Sequence, residues 1–339
     1  MDSLTQIVLG AAVGEAVAGR KVGIKAALWG AIGGTIPDLD IIPVNYMEMV
    51  RGLEFHRGFS HSILFSVLFA PLFGWLISKI YGSKDVLGAK GWSFLMFMAL
   101  FTHPLLDCNT TWGTQLFWPF EYRVAFKNIF VIDPLYTLPF LVLLIMALRK
   151  PRESAIRKRL NNWGLAVSSS YLLWTFIAKF MMIGRFETAM TAQGLDVQNY
   201  SVKPMPLNTI LWVANVETPN AFYLGLHSFM DEDTSAIEFV KFDKNEYLLA
   251  PYKDNELLQR LLYMTQHFYT VEKIDNDLLI NDLRFGIAEG WENGSGDFVF
   301  RYRLIDEGNG KIRFVQEENK VKSGAKMMKP LWDRIWGEK

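Results

Sequence analysis

Residues 56–80 read His-Arg-Gly-Phe-Ser-His-Ser-Ile-Leu-Phe-Ser-Val-Leu-Phe-Ala-Pro-Leu-Phe-Gly-Trp-Leu-Ile-Ser-Lys-Ile, a polar head with two histidines joined to an apolar run over 62–80. The run is close to the ~20 residues that cross a bilayer. Its head carries groups that a membrane segment tolerates only at its rim or for a purpose. The same pairing recurs in Pro37-Asp38-Leu39-Asp40, which closes an apolar run at 26–36. It recurs again in Thr102-His103-Pro104-Leu105-Leu106-Asp107, which closes one at 91–106. Imidazole and carboxylate are the ligands that a divalent metal takes, so the chain reads first as a helical membrane domain with a metal site.

Half of the 339 residues are apolar, with 11 Trp and 25 Phe, and the mean hydropathy is +0.13. That is too apolar for an ordinary soluble enzyme and too polar for membrane throughout, so part of the chain is expected to be soluble. Thirty-five basic residues balance 35 acidic ones, and no global field points to nucleic acid. Cys108 is the single cysteine, which excludes an intramolecular disulfide, a Cys-rich zinc knuckle and a CxxC motif. Any metal is left to nitrogen and oxygen ligands. Asp2 first and Arg20 and Lys21 last make residues 1–20 a poor secretory leader, so this segment is expected to be retained.

Further apolar stretches run over 4–19, 134–148 and 163–184. Gly10, Gly14, Gly30, Gly33 and Gly34 in the first two stretches let helix backbones approach closely. Counting Lys and Arg in the connections gives twelve in one alternating set, among them Arg20, Lys21, Lys158 and Arg159. The other set has four: Arg51, Arg57, Arg123 and Lys127. The positive set is expected to be cytoplasmic. Alternation then predicts that Asp2, Asp38, Asp40, His56, His61, His103, Asp107 and Asp133 share the outer face, a convergence the Lys and Arg count did not presuppose.

After Gly184 the pattern changes to period-two, aromatic and β-branched segments at 210–216, 221–226, 237–242, 297–303 and 311–315, with an amphipathic helix over 256–269. The fold expected is an α-helical integral membrane domain over 1–184 followed by a soluble, extracytoplasmic α+β domain over 185–339. Trp332, Ile335 and Trp336 at helical spacing suit a surface helix or a helix docked on that domain.

His103 and Asp107 are four apart and share a helix face. Asp38 and Asp40 share a side if their segment is extended. His56 and His61 can converge if Gly58 turns the chain and Ser60 caps a helix beginning at His61. Arg57 offers a planar cation for phosphate or carboxylate. Asp133-Pro134 also reads as a helix cap with proline at the first position, and Asp2 as the cap of the first helix. His227 and His267 lack a nearby carboxylate motif and read as structural.

The ordered set of Met1-Asp2-Ser3-Leu4-Thr5, Gly34-Thr35-Ile36-Pro37-Asp38-Leu39-Asp40, His56 to Ser62, Thr102-His103 to Asp107 and Asp133-Pro134 resembles the YdjM-like family of membrane-bound metal-dependent hydrolases. The resemblance covers roughly the first 150 residues, and more distantly it extends to zinc-dependent phospholipases C. It implies metal ligands among Asp38, Asp40, His56, His61, His103 and Asp107. Many members carry His where this chain has Gln6. The resemblance also implies a hydrolase of the bacterial plasma membrane, multi-pass, with a divalent metal, zinc by expectation, that activates water against a lipid or other membrane-proximal phosphoester. Asp133 or Asp2 is the expected base, Asp2 a further candidate ligand, and Arg57 the expected stabiliser of negative charge. The rival expectation is a non-catalytic, metal-stabilised scaffold or sensor. Membrane lipid is the expected partner in either case, and nucleic acid is not.

Overall fold

The computed structural model describes residues 1–232, 237–275, 277–288, 296–317 and 324–337. The chain forms two compact units: Met1–Tyr46 with Phe55–Ile177 and Pro206–Asn208, and Met47–Glu54 with Ala178–Met205 and Thr209–Lys339.

The first unit is helical. Helices α1 (Ser3–Val22) and α2 (Ile24–Thr35) form a hairpin at Gly23, whose φ of 65° needs glycine. Their backbones touch. A Cβ on Gly10 would lie 2.3 Å from the Gly30 carbonyl oxygen, and one on Gly14 2.2 Å from that of Ala26. A 3-10 turn over Ile36–Asp40, begun by Pro37, leads into the short α3 (Ile41–Val44). Helix α4 (Met49–Phe55) follows and groups with the second unit. A second 3-10 turn over Phe59–His61 leads into α5 (Ile63–Tyr81). Ser62 caps α5 by accepting the Phe65 N–H at 3.0 Å. The cap is therefore Ser62 and not Ser60, because the 3-10 turn delays the helix past His61.

Helix α6 (Gly88–Asp107) packs on α1, α2 and α5. A buried cluster of Phe65, Ile77, Trp92, Leu95, Met96 and Leu100 joins α5 to α6. Helix α7 (Pro134–Leu148) packs on α1 through Phe140, Leu144, Val8 and Ala12. Helix α8 (Ala155–Ala192) runs 38 residues, to Ile177 in the first unit and from Ala178 in the second. Among the described residues, α5 and α8 are the helices long and apolar enough to cross a membrane; α7 is apolar but shorter.

The second unit holds two antiparallel meanders. Strands β1 (Asn199–Pro204), β2 (Leu211–Glu217), β3 (Ala221–Ser228) and β4 (Phe239–Asp243) form one. Strands β5 (Tyr269–Ile274), β6 (Asp277–Ile287), β7 (Phe298–Gly308) and β8 (Lys311–Gln316) form the other. Phe222 and Leu224 of the first sheet pack with Leu283, Ile287 and Phe298 of the second. Helix α9 (Glu256–Met264) and α4 bury Leu258, Leu261 and Val50 on the second sheet with Val271, Ile280 and Tyr302. Helix α9 ends earlier than the pattern over 256–269 suggests, because Gln266 and His267 take positive φ and turn the chain into β5. Helix α10 (Gly324–Ile335) docks: Leu331 and Ile335 are buried with Leu211, and Arg334 pairs with Asp231 at 2.7 Å.

Candidate metal centre

Four of the candidate residues converge. Asp38, His61, His103 and Asp107 each offer one ligand atom, and these atoms lie within 4.8 Å of one another. His103 and Asp107 come from the last turn of α6, His61 from the turn before α5, and Asp38 from the turn after α2. Pro104 lies between the α6 pair without interrupting the helix. His61 and His103 present their Nε2 atoms to each other at 3.1 Å. Asp38 Oδ1 is 3.3 Å from His61 Nε2 and 3.5 Å from His103 Nε2. Asp107 Oδ2 is 3.5 and 3.8 Å from the same two atoms. The side chains of His61, His103 and Asp107 are wholly buried, and that of Asp38 is 24 % exposed.

The outer contacts fix which atoms face inward. His103 Nδ1 is 2.6 Å from the Gly34 carbonyl oxygen, which can only accept, so Nδ1 carries the proton and Nε2 keeps its lone pair. His61 Nδ1 lies 3.0 Å from Ser60 Oγ and 3.3 Å from Asp40 Oδ2. The Asp40 carboxylate makes Nδ1 the protonated nitrogen of that ring as well. With both rings neutral, two imidazole lone pairs and two carboxylates face one small volume, and the Arg57 guanidinium and the Met1 amino group offset charge on Asp107. Asp107 Oδ2 is buried and accepts no hydrogen bond of good geometry, its neighbour being the Arg57 guanidinium at 3.2 Å.

The spacing is close to that of a coordination shell. A tetrahedral ion with bonds of about 2.0–2.1 Å holds its ligand atoms about 3.3 Å apart, against 3.1–3.8 Å for the pairs that include a histidine nitrogen and at most 4.8 Å within the whole group. A buried Asp and His cluster able to hold a metal ion is thus present in this chain.

The remaining candidates lie around this group. Asp40 does not turn to the same side as Asp38, because the segment is a 3-10 turn and not extended chain. Its carboxylate instead accepts from Ser60 Oγ and from the Arg57 backbone N–H, both at 2.9 Å, and lies 2.8 Å from His56 Nδ1. Burial opposes ionisation of Asp40, yet its contacts with His56 and His61 prevail and hold the carboxyl far below the usual range. Asp38 behaves alike: burial raises its pKa, and the bonds to His103 and His61 more than reverse this.

His56 binds Asp40 from the rim and stands outside the group of four. Arg57 is buried, at φ 60°, with Nε 3.2 Å from Asp107 Oδ2 and Nη1 donating to Thr110 at 2.7 Å. Its guanidinium rests on Asp107. Gln6 Nε2 donates to Asp107 Oδ1 at 2.9 Å and to the His103 carbonyl at 3.3 Å, and the Met1 amino group also contacts that carboxylate. Gln6 thus orients a member of the group and is not in it.

Asp2 and Asp133 are helix caps. Asp2 accepts from the Thr5 N–H and hydroxyl. Asp133 Oδ1 accepts the Leu135 and Tyr136 N–H groups at 2.9 and 3.2 Å, and Oδ2 the Tyr171 hydroxyl at 3.0 Å. Burial nevertheless raises its pKa. Neither is in the group of four. In the second unit, His227 has a carboxylate neighbour that the sequence did not reveal, Asp231 at 3.0 Å.

Thr110 and the Gly34 carbonyl could not be singled out from sequence, whereas Gln6 stood out through the resemblance as the position where many members carry His. A main-chain acceptor gives no signal beyond the glycine that frames it.

Two curated proteins are similar to this chain. Inner membrane protein YbcI of Escherichia coli K12 is 23% identical over 172 residues, 51% of this chain and 88% of that protein. Uncharacterized protein YfhP of Bacillus subtilis 168 is 25% identical over 236 residues, 66% of this chain and 68% of that protein. No solved structure matches the chain, and the more distant likeness to zinc-dependent phospholipases C finds no support in these comparisons. The profile of the YdjM inner membrane protein family matches residues 1–182, more than half of the chain, and the chain belongs to that family.

Proposed function

We propose that this protein is a membrane-embedded, metal-dependent hydrolase acting on a lipid or other membrane-proximal phosphoester. The observation that carries the reading is the convergence of the His61 and His103 Nε2 atoms with the Asp38 and Asp107 carboxylates. Asp38, His61, His103 and Asp107 would hold the ion. Zinc suits two nitrogen and two oxygen ligands at this spacing. When bound, such an ion polarises a phosphoryl oxygen and lowers the pKa of water toward neutrality.

The chain's own groups prepare the rest. Asp40 and the Gly34 carbonyl fix both ring tautomers, and outer partners of this kind raise ligand basicity. Arg57 keeps positive charge beside the centre and suits the positioning of an anion-binding ligand. Asp38, the one member that reaches solvent, marks the side of substrate entry. The distribution of Lys and Arg and the apolar α5, α7 and α8 support a multi-pass plasma-membrane protein with this site and the two-sheet unit outside the cytoplasm.

A second reading, a metal-stabilised scaffold or sensor, is favoured by one feature. Four protein groups complete a tetrahedral shell, as structural sites do, whereas catalytic sites keep a position open. Metal analysis of the purified full chain and a phosphodiester and phospholipid turnover screen separate the two. The hydrolase reading expects about one metal per chain, turnover, and loss of both in His61→Ala with His103→Ala. Stoichiometric metal with no turnover favours the scaffold, and unchanged metal content in the double variant sinks both.

A further inference from the structure

Where α8 begins, α1 ends, and the two enclose a cleft at the end of α1 opposite the metal centre. Arg20 is eighteen residues beyond Asp2 on one helix, a rise of about 27 Å. That is close to the ~30 Å thickness of a bilayer's hydrocarbon core.

Two adjoining cavities of about 460 and 230 Å³ share Arg20, Lys158 and Asn162 as lining residues. Arg159, Ser154 and Trp163 also line the larger. Around the larger cavity the cations Arg20, Lys158 and Arg159 meet one carboxylate, Glu153, which Arg152 already pairs with, and the Glu15 that lines the smaller is taken by Arg157. Among the described residues, none of these three cations has an ion-pair partner.

Their placement is fixed from beneath. Arg157 Nε and Nη2 each reach a Glu15 oxygen at 2.6 Å in a buried fork, and Asn161 donates to the Ala12 carbonyl at 2.9 Å. These contacts lock the first turns of α8 to α1 and hold Lys158 and Arg159 beside Arg20. Ser154 and Ala155, where α8 begins, also line the larger cavity, so the positive end of the helix dipole lies beside it. On the open side Trp163 is 58 % exposed and Ile156 54 %, and the apolar outer face of α8 continues along the helix through Val167, Leu173 and Trp174.

We propose that this cleft binds the phosphate of an anionic phospholipid, with Arg20, Lys158 and Arg159 on the headgroup and Trp163 against the glycerol and first acyl carbons. Soluble phosphate shares the anionic chemistry. The apolar wall beside the cations is what favours a lipid, since a free ion has no use for it.

Native mass spectrometry of the full chain in neutral detergent, with phosphatidylglycerol or phosphatidylcholine added, tests this. The wild type should retain phosphatidylglycerol under activation that strips phosphatidylcholine. Combined Arg20→Gln, Lys158→Gln and Arg159→Gln should reduce that retention at least tenfold with an unchanged melting profile. Arg20→Lys with Arg159→Lys should keep it. Millimolar inorganic phosphate should leave the lipid in place. Equal retention by the wild type and the triple variant overturns the proposal, and displacement by phosphate alone overturns its lipid half. If the triple variant does not fold, Lys158→Gln alone reads the same effect as a smaller melting shift on adding phosphatidylglycerol over phosphatidylcholine.

Discussion

At the scale of single residues, Asp38 and Asp40 show how one turn divides two identical side chains between two tasks. They are two positions apart, yet Asp38 joins the group of four while Asp40 binds His56, Ser60 and the Arg57 N–H behind it. The sequence made both candidate ligands, and only the 3-10 geometry separates them. Asp40→Asn should therefore leave metal bound at saturation but weaken affinity by about 10–100-fold, the usual cost of losing an outer partner. Competition against a chelating dye reads this directly. Complete loss of metal would instead place Asp40 on the ion. His103 and Asp107 were legible from spacing alone, since a helix stacks i and i+4. The helix-cap readings of Asp2 and Asp133 rested on equally local chemistry, and both residues do cap.

At the scale of elements, the helices of the first unit were readable because their apolar runs are bounded by polar or charged residues. The C-terminal strands were readable only in part. Strands β2, β3, β4, β7 and β8 carry the β-branched and aromatic residues that mark strands, though β2 is buried along nearly its whole length while β8 alternates between buried and exposed positions. Strand β1, with Asn199, Ser201, Lys203 and Pro204, looks like a loop. Strand β6 buries Asn281, Asp282 and Arg284 where the pattern calls for apolar residues. Arg284 pairs with Asp282, two positions before it on the same strand, at 2.6 Å, and Asn281 donates to Glu272 of the neighbouring β5 at 2.9 Å, contacts that a period-two apolar pattern does not announce.

The hairpin of α1 and α2 depends on glycine in a way that can be measured. Gly14→Leu would set a Cβ 2.2 Å from the Ala26 carbonyl oxygen, against main chain that cannot rotate away. Overpacking of this kind costs about 1–3 kcal/mol or more. Thermal melting in detergent should show a clear drop, whereas Gly82→Ala, with open space around it, should lose less despite its φ of 52°. Equal losses would mean that backbone contact does not hold the hairpin.

At the scale of the whole molecule, the chain builds its two units on different physics. The helical unit packs small residues and aromatic rings and buries charged groups at the candidate metal centre and in the Glu15–Arg157 fork. The sheet unit has its own apolar clusters and no candidate metal group among the described residues. Chelation should accordingly lower the melting of the helical unit, because a ligand that binds only the folded form stabilises it by mass action. The transition of the sheet unit should stay within a degree or two. Scanning calorimetry with and without chelator, with tryptophan fluorescence followed alongside, distinguishes this from a uniform shift, which would tie both units to one cooperative event.

The partner that sets the His103 tautomer is main chain, the Gly34 carbonyl. Most tautomer-setting partners are side chains, and a single codon change can delete them. A carbonyl oxygen belongs to every amino acid, so no substitution at position 34 can remove this acceptor. The protonation pattern of His103 can be lost only by moving α2 bodily, and α2 is held to α1 by main chain against main chain, with no rotamer between them to slip. The direction in which this imidazole faces is in that sense a property of the backbone, shielded from the side-chain variation by which proteins usually drift.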